Sequence, residues 1–179
     1  VRSEGFLFDI VVAHDWLSAM GGIAIKRELD MPFVFHVHST EKGRTMGNGS
    51  EVVSNIELRA AQTADMIVTV SNAMKDELIG LGFPAEKIQV VYNGVDPQKY
   101  SREQVSDEKV QEVRKQYGLK DSDVMVLFLG RLVWVKGVDK LIAAMPHILQ
   151  KIPAAKLVIV GLGDMREYLQ RMVQNLKLQ

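Results

Sequence analysis

The chain alternates short apolar runs with longer stretches in which apolar residues recur every three or four positions. Each apolar run has the length of one strand, and continuous apolar runs are typical of parallel strands that are covered on both faces. The predicted strands are Phe8–His14, Pro32–His38, Met66–Ser71, Ile88–Asn93, Val124–Gly130 and Leu157–Gly161.

The stretches between the strands carry the apolar spacing of amphipathic helices. Ser71 and Ser106 are predicted N-caps, because a serine hydroxyl can accept a hydrogen bond from the first helical turn. The predicted inner faces are Met74, Leu78 and Leu81; Val110, Val113 and Tyr117; Val138, Leu141, Ile142, Met145 and Leu149; and Met165, Tyr168, Leu169, Met172 and Leu176. Strands that alternate with helices predict parallel sheets joined by right-handed crossovers.

The regular alternation breaks once, in the polar stretch from Gly94 to Val105. We place a domain boundary there and predict an α/β protein made of two Rossmann-like parallel-sheet domains, residues 1–96 and residues 97–179. Each side holds few strands for a complete domain of this kind, so we expect both domains to be incomplete. Residue 1 is Val rather than Met, which also leads us to expect a fragment.

Charge and composition narrow the possible function classes. The 22 lysines and arginines balance the 22 aspartates and glutamates, so nothing indicates a long basic groove for nucleic acid, although a local cationic pocket for a small anion is allowed. The absence of cysteine excludes disulfides, thiolate metal sites and cysteine nucleophiles. No apolar run approaches the roughly 20 residues of a membrane helix, and we expect a cytoplasmic protein.

The strongest candidate for chemistry is the loop that contains Arg131 and Lys136. A predicted strand ends at Gly130 and a predicted helix begins near Val138, so both cations lie at the carboxyl end of a parallel sheet, where ligands bind in such folds. A helix N-terminus and two cations suit a phosphate group. A leaving diphosphate needs such charge most as its bond breaks, so the pair can serve catalysis as well as binding. From position alone, two solvated surface cations remain an alternative.

Six short motifs follow one another along nearly the whole chain. They are His14-Asp15-Trp16, Val37-His38-Ser39-Thr40-Glu41, Ala64–Ser71, Val91–Asp96, Gly130-Arg131 with Lys136-Gly137, and Val158–Asp164. Each motif is modest alone, but in this order and spacing the sequence resembles the glycogen and starch synthase type of retaining GT-B glycosyltransferase.

The resemblance implies roles for individual residues. Arg131 and Lys136 would contact the diphosphate of the donor, which is ADP-glucose or UDP-glucose, and stabilise its departure. His38 would lie near the transferred sugar, His14-Asp15-Trp16 on the acceptor side, and Asn93–Asp96 at the crossing between the domains. The substrate-binding residues expected on this basis are His38, Asp15, Asn93, Gly130 and Gly161. The family implies no cofactor and no bound metal.

Plainer roles stay open for several of these residues. Asp15 could cap the helix that follows it, and Trp16 is more typical of packing than of a sugar platform. His36 and His38 alternate along one predicted strand, and we expect them to point to opposite faces. That expectation makes His36 a hydrogen-bonded interior histidine and disfavours a zinc site.

At three polar or glycine-containing segments we expect a structural role and no bound ligand. Asp121-Ser122-Asp123 resembles an acidic metal-binding pair, but its position before a strand predicts an exposed turn. Gly21-Gly22 lies within a predicted helix, where close packing or a break is expected rather than phosphate binding. The polar stretch Thr40–Ser50 is expected to be a surface loop of the kind that is often mobile.

Two parts of the family pattern are absent from the sequence. A glycine-rich loop is expected before residue 1 and a spaced pair of glutamates after residue 179, so we expect complete catalysis to need segments outside this chain. The predicted activity of the parent protein is transfer of a hexosyl group, by expectation glucosyl, from a nucleoside diphosphate sugar to a glucan or other carbohydrate acceptor with retention.

Two other functions stay open. One is a non-catalytic nucleotide-sugar binding or assembly module. The other is a sugar-nucleotide epimerase or phosphorylase-like enzyme on the same fold. In each case the expected partners are a nucleotide sugar and a carbohydrate, with neither nucleic acid nor a membrane span. Exposed sheet edges are also expected to permit pairing with a second chain.

Overall fold

The protein is seen in a computed structural model that describes residues 8–178. The chain divides into two compact units, the first ending at Val95 and the second beginning at Asp96. The predicted domains, 1–96 and 97–179, include residues 1–7 and 179, which lie outside the described residues. Their assignment to the acceptor side and the donor side of an enzyme remains a prediction.

Six strands in the described part of the chain form two parallel sheets, in accordance with the predicted α/β class. The strands are β1 (Val11–His14), β2 (Phe33–Val37), β3 (Met66–Thr69), β4 (Ile88–Val90), β5 (Val124–Leu129) and β6 (Ala155–Val160). The first unit holds a sheet in the order β1-β2-β3-β4, and the second holds the pair β5-β6. Every neighbouring pair is parallel, as expected for strands joined by crossover helices.

Seven α-helices connect these strands within residues 8–178. They are α1 (Asp15–Leu29), α2 (Glu41–Arg44), α3 (Glu51–Thr63), α4 (Asn72–Gly80), α5 (Asp107–Gln116), α6 (Val138–Lys151) and α7 (Arg166–Asn175). The two predicted N-caps are confirmed, since the hydroxyl oxygens of Ser71 and Ser106 accept hydrogen bonds from the N–H groups of Met74 and Lys109. None of these helices is both long and apolar enough to cross a bilayer.

The core of the first unit is built around the central strand β2. Phe33 and Phe35 have no exposed surface, and α1 packs closely against them. A Cβ atom added to Gly22 of α1 would overlap the ring of Phe33 and lie 3.1 Å from the Cβ of Ala13. The predicted close packing at this glycine is therefore confirmed.

The core of the second unit lies between β5, β6 and the helices α6 and α7. Val138 and Ile142 of α6 are fully buried there, together with Leu132, Met165 and Leu169. Tyr168, which the periodicity places on the inner face of α7, is exposed instead, and its ring contacts the ring of Trp134 at 5.1 Å between centroids.

Candidate functional site

The carboxyl ends of β1 and β2 bring together several of the residues singled out from the sequence. The side-chain oxygen Oδ1 of Asp15 accepts hydrogen bonds from the backbone N–H groups of His38 at 2.8 Å and Ser39 at 3.2 Å. Asp15 has a φ of 51°, a left-handed conformation that aspartate adopts more readily than most residues. Its carboxylate therefore ties the end of β2 to the start of α1, and α1 has no side-chain cap.

Three imidazole rings gather at this edge of the sheet. His14 is the register partner of His36 across the two strands. The ring centroids of His36 and His38 are 4.1 Å apart, and those of His14 lie 4.8 Å and 5.2 Å from them. The expectation that His36 and His38 point to opposite faces was wrong, because residues two positions apart along a strand share a face.

His36 also differs from the satisfied interior histidine that was expected. Its Nε2 atom is buried and, within the described residues, has no hydrogen-bond partner. Burial lowers the pKa of His36 below its ordinary 6.5, the neighbouring His38 and His14 lower it further, and Asp15 opposes them. Burial therefore disfavours the charged form of the His36 imidazole.

The segment after β2 is more ordered than its polar composition indicates. Arg44 donates hydrogen bonds to Ser39, to Glu41 at 3.1 Å and to Glu57 at 2.8 Å. Both carboxylate oxygens of Glu57 also accept from the backbone N–H of Glu41, and burial raises the pKa of Glu57. A helical turn, α2, and the ion pair of Arg44 with the buried Glu57 thus organise the first part of the segment Thr40–Ser50, whereas residues 46–50 form an exposed loop, as expected. Sequence reasoning missed the ion pair because Arg44 and Glu57 are 13 residues apart, a separation that no local spacing rule connects.

The predicted phosphate loop joins β5 to α6 in the second unit. Arg131 follows the strand, Lys136 ends a 3₁₀ turn, and both side chains are exposed. Within residues 8–178 neither side chain takes part in a salt bridge or a hydrogen bond. Gly137 stands before the first residue of α6 with a φ of 66°, a conformation that favours glycine. The buried carboxylate of Asp139, close to this helix N-terminus, pairs with Lys140 at 3.1 Å.

The two predicted glycines of the second unit lie next to each other across the ends of β5 and β6. A Cβ atom added to Gly161 would overlap the carbonyl oxygen of Gly130, and one added to Gly163 would overlap that of Leu132. The backbones stay paired beyond the strands, since the N–H of Leu132 donates to the carbonyl of Leu162 at 2.8 Å. Gly161 and Gly163 therefore have a packing role, whatever they bind, whereas a Cβ atom at Gly130 would make only an ordinary contact with Phe128.

A cavity of about 650 Å³ lies beside the paired segments that follow β5 and β6. Gly161, Arg166 and Gln170 line it together with apolar side chains of β6, α6 and α7. Arg131 and Lys136 are not among its lining residues, so it shares only Gly161 with the predicted donor-phosphate residues.

The remaining predicted residues lie apart from these groups. Asn93 is exposed in the irregular segment after β4. The segment Asp121–Asp123 forms a turn, in which Oδ2 of Asp123 accepts from the N–H of Lys120 at 2.8 Å. The interpretation of that acidic pair as a turn is confirmed.

This combination of parallel sheets, glycine-bordered strand ends and a cationic strand-to-helix loop is that of a GT-B glycosyltransferase. Residues 3–99 match the family described as Glycosyltransferase Family 4, and residues 109–179 match Glycosyl transferases group 1. The chain belongs to the family 4 glycosyltransferases.

Individual relatives agree with this family membership. The chain is 37% identical over 167 residues to an uncharacterised glycosyltransferase of Methanocaldococcus jannaschii, covering 91% of this chain and 42% of the relative. It is 32% identical over 166 residues to a glycogen synthase of Mycobacterium tuberculosis, covering 90% and 37%. The chain thus spans about two fifths of the length of these curated relatives.

A solved structure supports the fold in the same way. The Anabaena protein HepE, determined in complex with UDP and glucose, superposes with a TM-score of 0.82 at 23% identity. The similarity covers 96% of this chain and 46% of HepE. At this level of identity the comparison establishes the GT-B fold.

Proposed function

We propose that the parent protein transfers a hexosyl group from a nucleoside diphosphate sugar to a carbohydrate acceptor with retention of configuration, and that this group is glucosyl. The observation that carries the proposal is the pair of exposed cations, Arg131 and Lys136, which lie in the loop before α6 and have no side-chain hydrogen bond or salt bridge within residues 8–178. HepE holds UDP and glucose on the same fold, which supports a nucleotide-sugar donor.

The electrostatics of this loop suit a diphosphate. A helix N-terminus concentrates partial positive charge and free N–H groups, and the fourteen-residue α6 begins directly after Gly137. The Arg131 guanidinium can bind two phosphate oxygens with its planar fork, while Lys136 supplies a mobile point charge. Because negative charge on the leaving diphosphate grows as the glycosidic bond breaks, both cations stabilise the transition state more than the ground state.

The first unit would supply groups for the sugar and the acceptor. Asp15 fixes the backbone of His38, so the imidazole of His38 is presented on an anchored strand end. The Nδ1 of His14 lies 2.9 Å from the Nε2 of His38, which restrains that ring further. We assign His38 to the transferred sugar and Asp15 to positioning, and both assignments remain proposals, as does the role of Asn93.

The test is calorimetric titration of the chain with UDP-glucose and with ADP-glucose. Wild-type protein should bind one of the two saturably, and the double variant Arg131→Ala, Lys136→Ala should lose about 100-fold or more in affinity, since each charge-assisted contact is worth about 1.5–3 kcal/mol and each 1.4 kcal/mol is tenfold. The charge-matched control is Lys156→Ala, Arg171→Ala, which removes two exposed cations elsewhere in the same unit. Equal loss in both double variants would contradict a specific diphosphate site.

Turnover separates the proposed transferase from its alternatives. Release of UDP or ADP that depends on a glucan supports transfer, and release that depends on inorganic phosphate supports a phosphorylase-like enzyme. Binding without turnover by the full-length parent protein supports a binding module, whereas the same result with this chain alone is expected for either function. Pairing of chains through open sheet edges also stays a prediction, and sedimentation at high concentration tests it.

A further inference from the structure

The cluster of His14, His36 and His38 offers three ring nitrogens to one point in space. One nitrogen from each ring lies within 4.8 Å of the others. The three rings come from the ends of two hydrogen-bonded parallel strands, so the backbone that carries them is fixed. The proposed function, on which this inference does not depend, gives a ligand only to His38; His14 enters it as a restraint on that ring, and His36 has no role in it.

The buried Nε2 atom of His36 is the observation that most directly indicates a bound ion at this cluster. Buried polar atoms without a partner are rare in folded proteins and call for a physical reason, such as an ion that belongs at the site. Histidine is also the commonest metal ligand among protein side chains. A metal ion bound by this nitrogen would give it the partner that the described residues do not supply.

The spacing of the nitrogens fits a tetrahedral ion. Zinc–nitrogen bonds of about 2.0–2.1 Å place two nitrogens of a tetrahedral site about 3.4 Å apart. The observed Nδ1 of His14 and Nε2 of His38 are 2.9 Å apart, and the widest pair in the cluster is within 4.8 Å. Since rotation about χ2 of histidine is soft, the three rings can converge without movement of the strands.

We propose that His14, His36 and His38 bind a divalent transition-metal ion of the zinc type through three imidazole nitrogens. The fourth position is open to water or to an oxygen of a small ligand, as in zinc sites with three protein ligands. No carboxylate belongs to the cluster, so the donor set favours zinc, cobalt, nickel or copper over magnesium and calcium. The hydrogen bond between His14 and His38 is given up on binding, because both nitrogens then direct lone pairs at the ion.

Neighbouring groups already hold two of the ligands. Oδ1 of Asp15 accepts from the backbone N–H of His38, and Oγ of Ser18 donates to the backbone carbonyl of His14 at 2.6 Å. Supporting hydrogen bonds of this kind fix the orientation of metal ligands. Here they act on the backbone of each ligand, and the Asp15 carboxylate adds a negative charge near the cation.

The test titrates chelator-treated chain with zinc chloride at neutral pH by calorimetry in a buffer that does not bind zinc. Wild-type protein should bind one ion per chain. Separate His14→Ala, His36→Gln and His38→Ala variants should each bind at least about 100-fold more weakly, because loss of a direct ligand should cost at least as much as the roughly 10-fold to 100-fold loss seen for outer-shell partners. The matched control is His147→Ala, which removes the remaining histidine of the chain at an exposed position of α6 and should bind as wild type does.

Two further readouts keep the result interpretable. Cobalt chloride in place of zinc should give the intense visible absorption of a tetrahedral ion, and His14→Ala should lose this band. Because the side chain of His14 is exposed, this variant keeps the test informative even if His36→Gln fails to fold. The Arg131→Ala, Lys136→Ala variant should bind zinc normally, because neither side chain belongs to the three-histidine cluster. Failure of the donor site thus leaves the metal site intact. Absence of zinc binding by folded wild type, or equal binding by His14→Ala and His147→Ala, would overturn the proposal.

Discussion

The two units share a parallel-sheet architecture and differ in how completely the apolar side chains of their sheets are buried. In the first unit β2 lies between β1 and β3, and Phe33 and Phe35 have no exposed surface. In the second unit β5 pairs only with β6 among the described strands, and Leu127 and Leu129 are 54% and 74% exposed. A covered central strand fixes the positions of the side chains at its end, whereas a half-covered strand leaves its own apolar face open.

The candidate sites differ in the same direction. At the end of β2 the polar groups bind one another, as in the contacts of Asp15 with His38 and of Arg44 with Glu57. At the end of β5 the cations Arg131 and Lys136 have no side-chain partners within residues 8–178. The first site is therefore organised before any ligand arrives, whereas under the proposed function the second would gain its partners from an anion. A preorganised site lowers the cost of ordering its groups when a ligand binds. Unpaired cations provide the electrostatic attraction that a phosphate group requires.

The largest effect should come from removing a ring of the first core. Phe35→Ala should lower the free energy of unfolding of the first unit by about 3–5 kcal/mol, since the side chain is fully buried. Leu127→Ala in the second unit should cost about 1 kcal/mol or less, because half of that side chain is already in water.

Each unit contains one of the two tryptophans, Trp16 and Trp134, which allows separate readouts. Urea unfolding of Phe35→Ala is followed by Trp16 fluorescence in a Trp134→Phe background, and that of Leu127→Ala by Trp134 in a Trp16→Phe background. Comparable losses in the two units would show that the outer face of β5 is covered in solution, and the contrast drawn here would fail.

A smaller effect is expected at the contact between α1 and β2. Gly22→Ala should destabilise the first unit by about 1–3 kcal/mol, because the new methyl group overlaps the ring of Phe33, which has no room to move. The neighbouring Gly21→Ala meets nothing within 4 Å, so it should stabilise α1 by up to about 1 kcal/mol. Both are measured by urea unfolding followed by Trp16 fluorescence. If the two variants shift stability in the same direction, the packing at Gly22 is looser than described.

The strands could be predicted because local sequence determines them. All six apolar runs became strands, although β1 begins at Val11 rather than Phe8 and β6 begins at Ala155 rather than Leu157. The serine caps were equally local, since donor and acceptor lie three residues apart. The prediction that Tyr168 lies on the inner face of α7 was wrong. A periodic pattern does not show that the ring of Trp134, rather than the core, lies next to this residue.

The candidate site was harder to predict because its contacts are long-range. Asp15 reaches His38 and Arg44 reaches Glu57 only after the sheet has formed, and no spacing rule connects these pairs. The histidine cluster could have been predicted in part, since two residues separated by one position on a strand share a face. Its third member, His14, required the register of β1 against β2.

The smallest effect concerns acid sensitivity of the first unit, through Asp65. Its Oδ2 accepts from the backbone N–H of Phe33 at 2.8 Å, and Oδ1 pairs with Lys26 at 3.2 Å. The hydrogen bond from Phe33, aided by Lys26, lowers the pKa of Asp65 below its ordinary 3.8. A lowered folded-state pKa means that the ionised carboxylate stabilises the fold above pH 3.8 and that this contribution is lost as pH falls through the folded-state value.

Asp65→Asn should therefore cost about 0.5–1 kcal/mol at neutral pH, a modest value because the side chain is half exposed and water screens its charge. The difference from wild type should shrink as the pH is lowered below about 4, where the wild-type carboxyl also becomes neutral. Urea unfolding at several pH values measures it, with exposed Asp76→Asn as the control for removing one negative charge from the same unit. A difference that stays constant down to the acid limit would contradict a role for the charge that faces Lys26, because protonation of the wild-type carboxyl would then leave its advantage over asparagine unchanged.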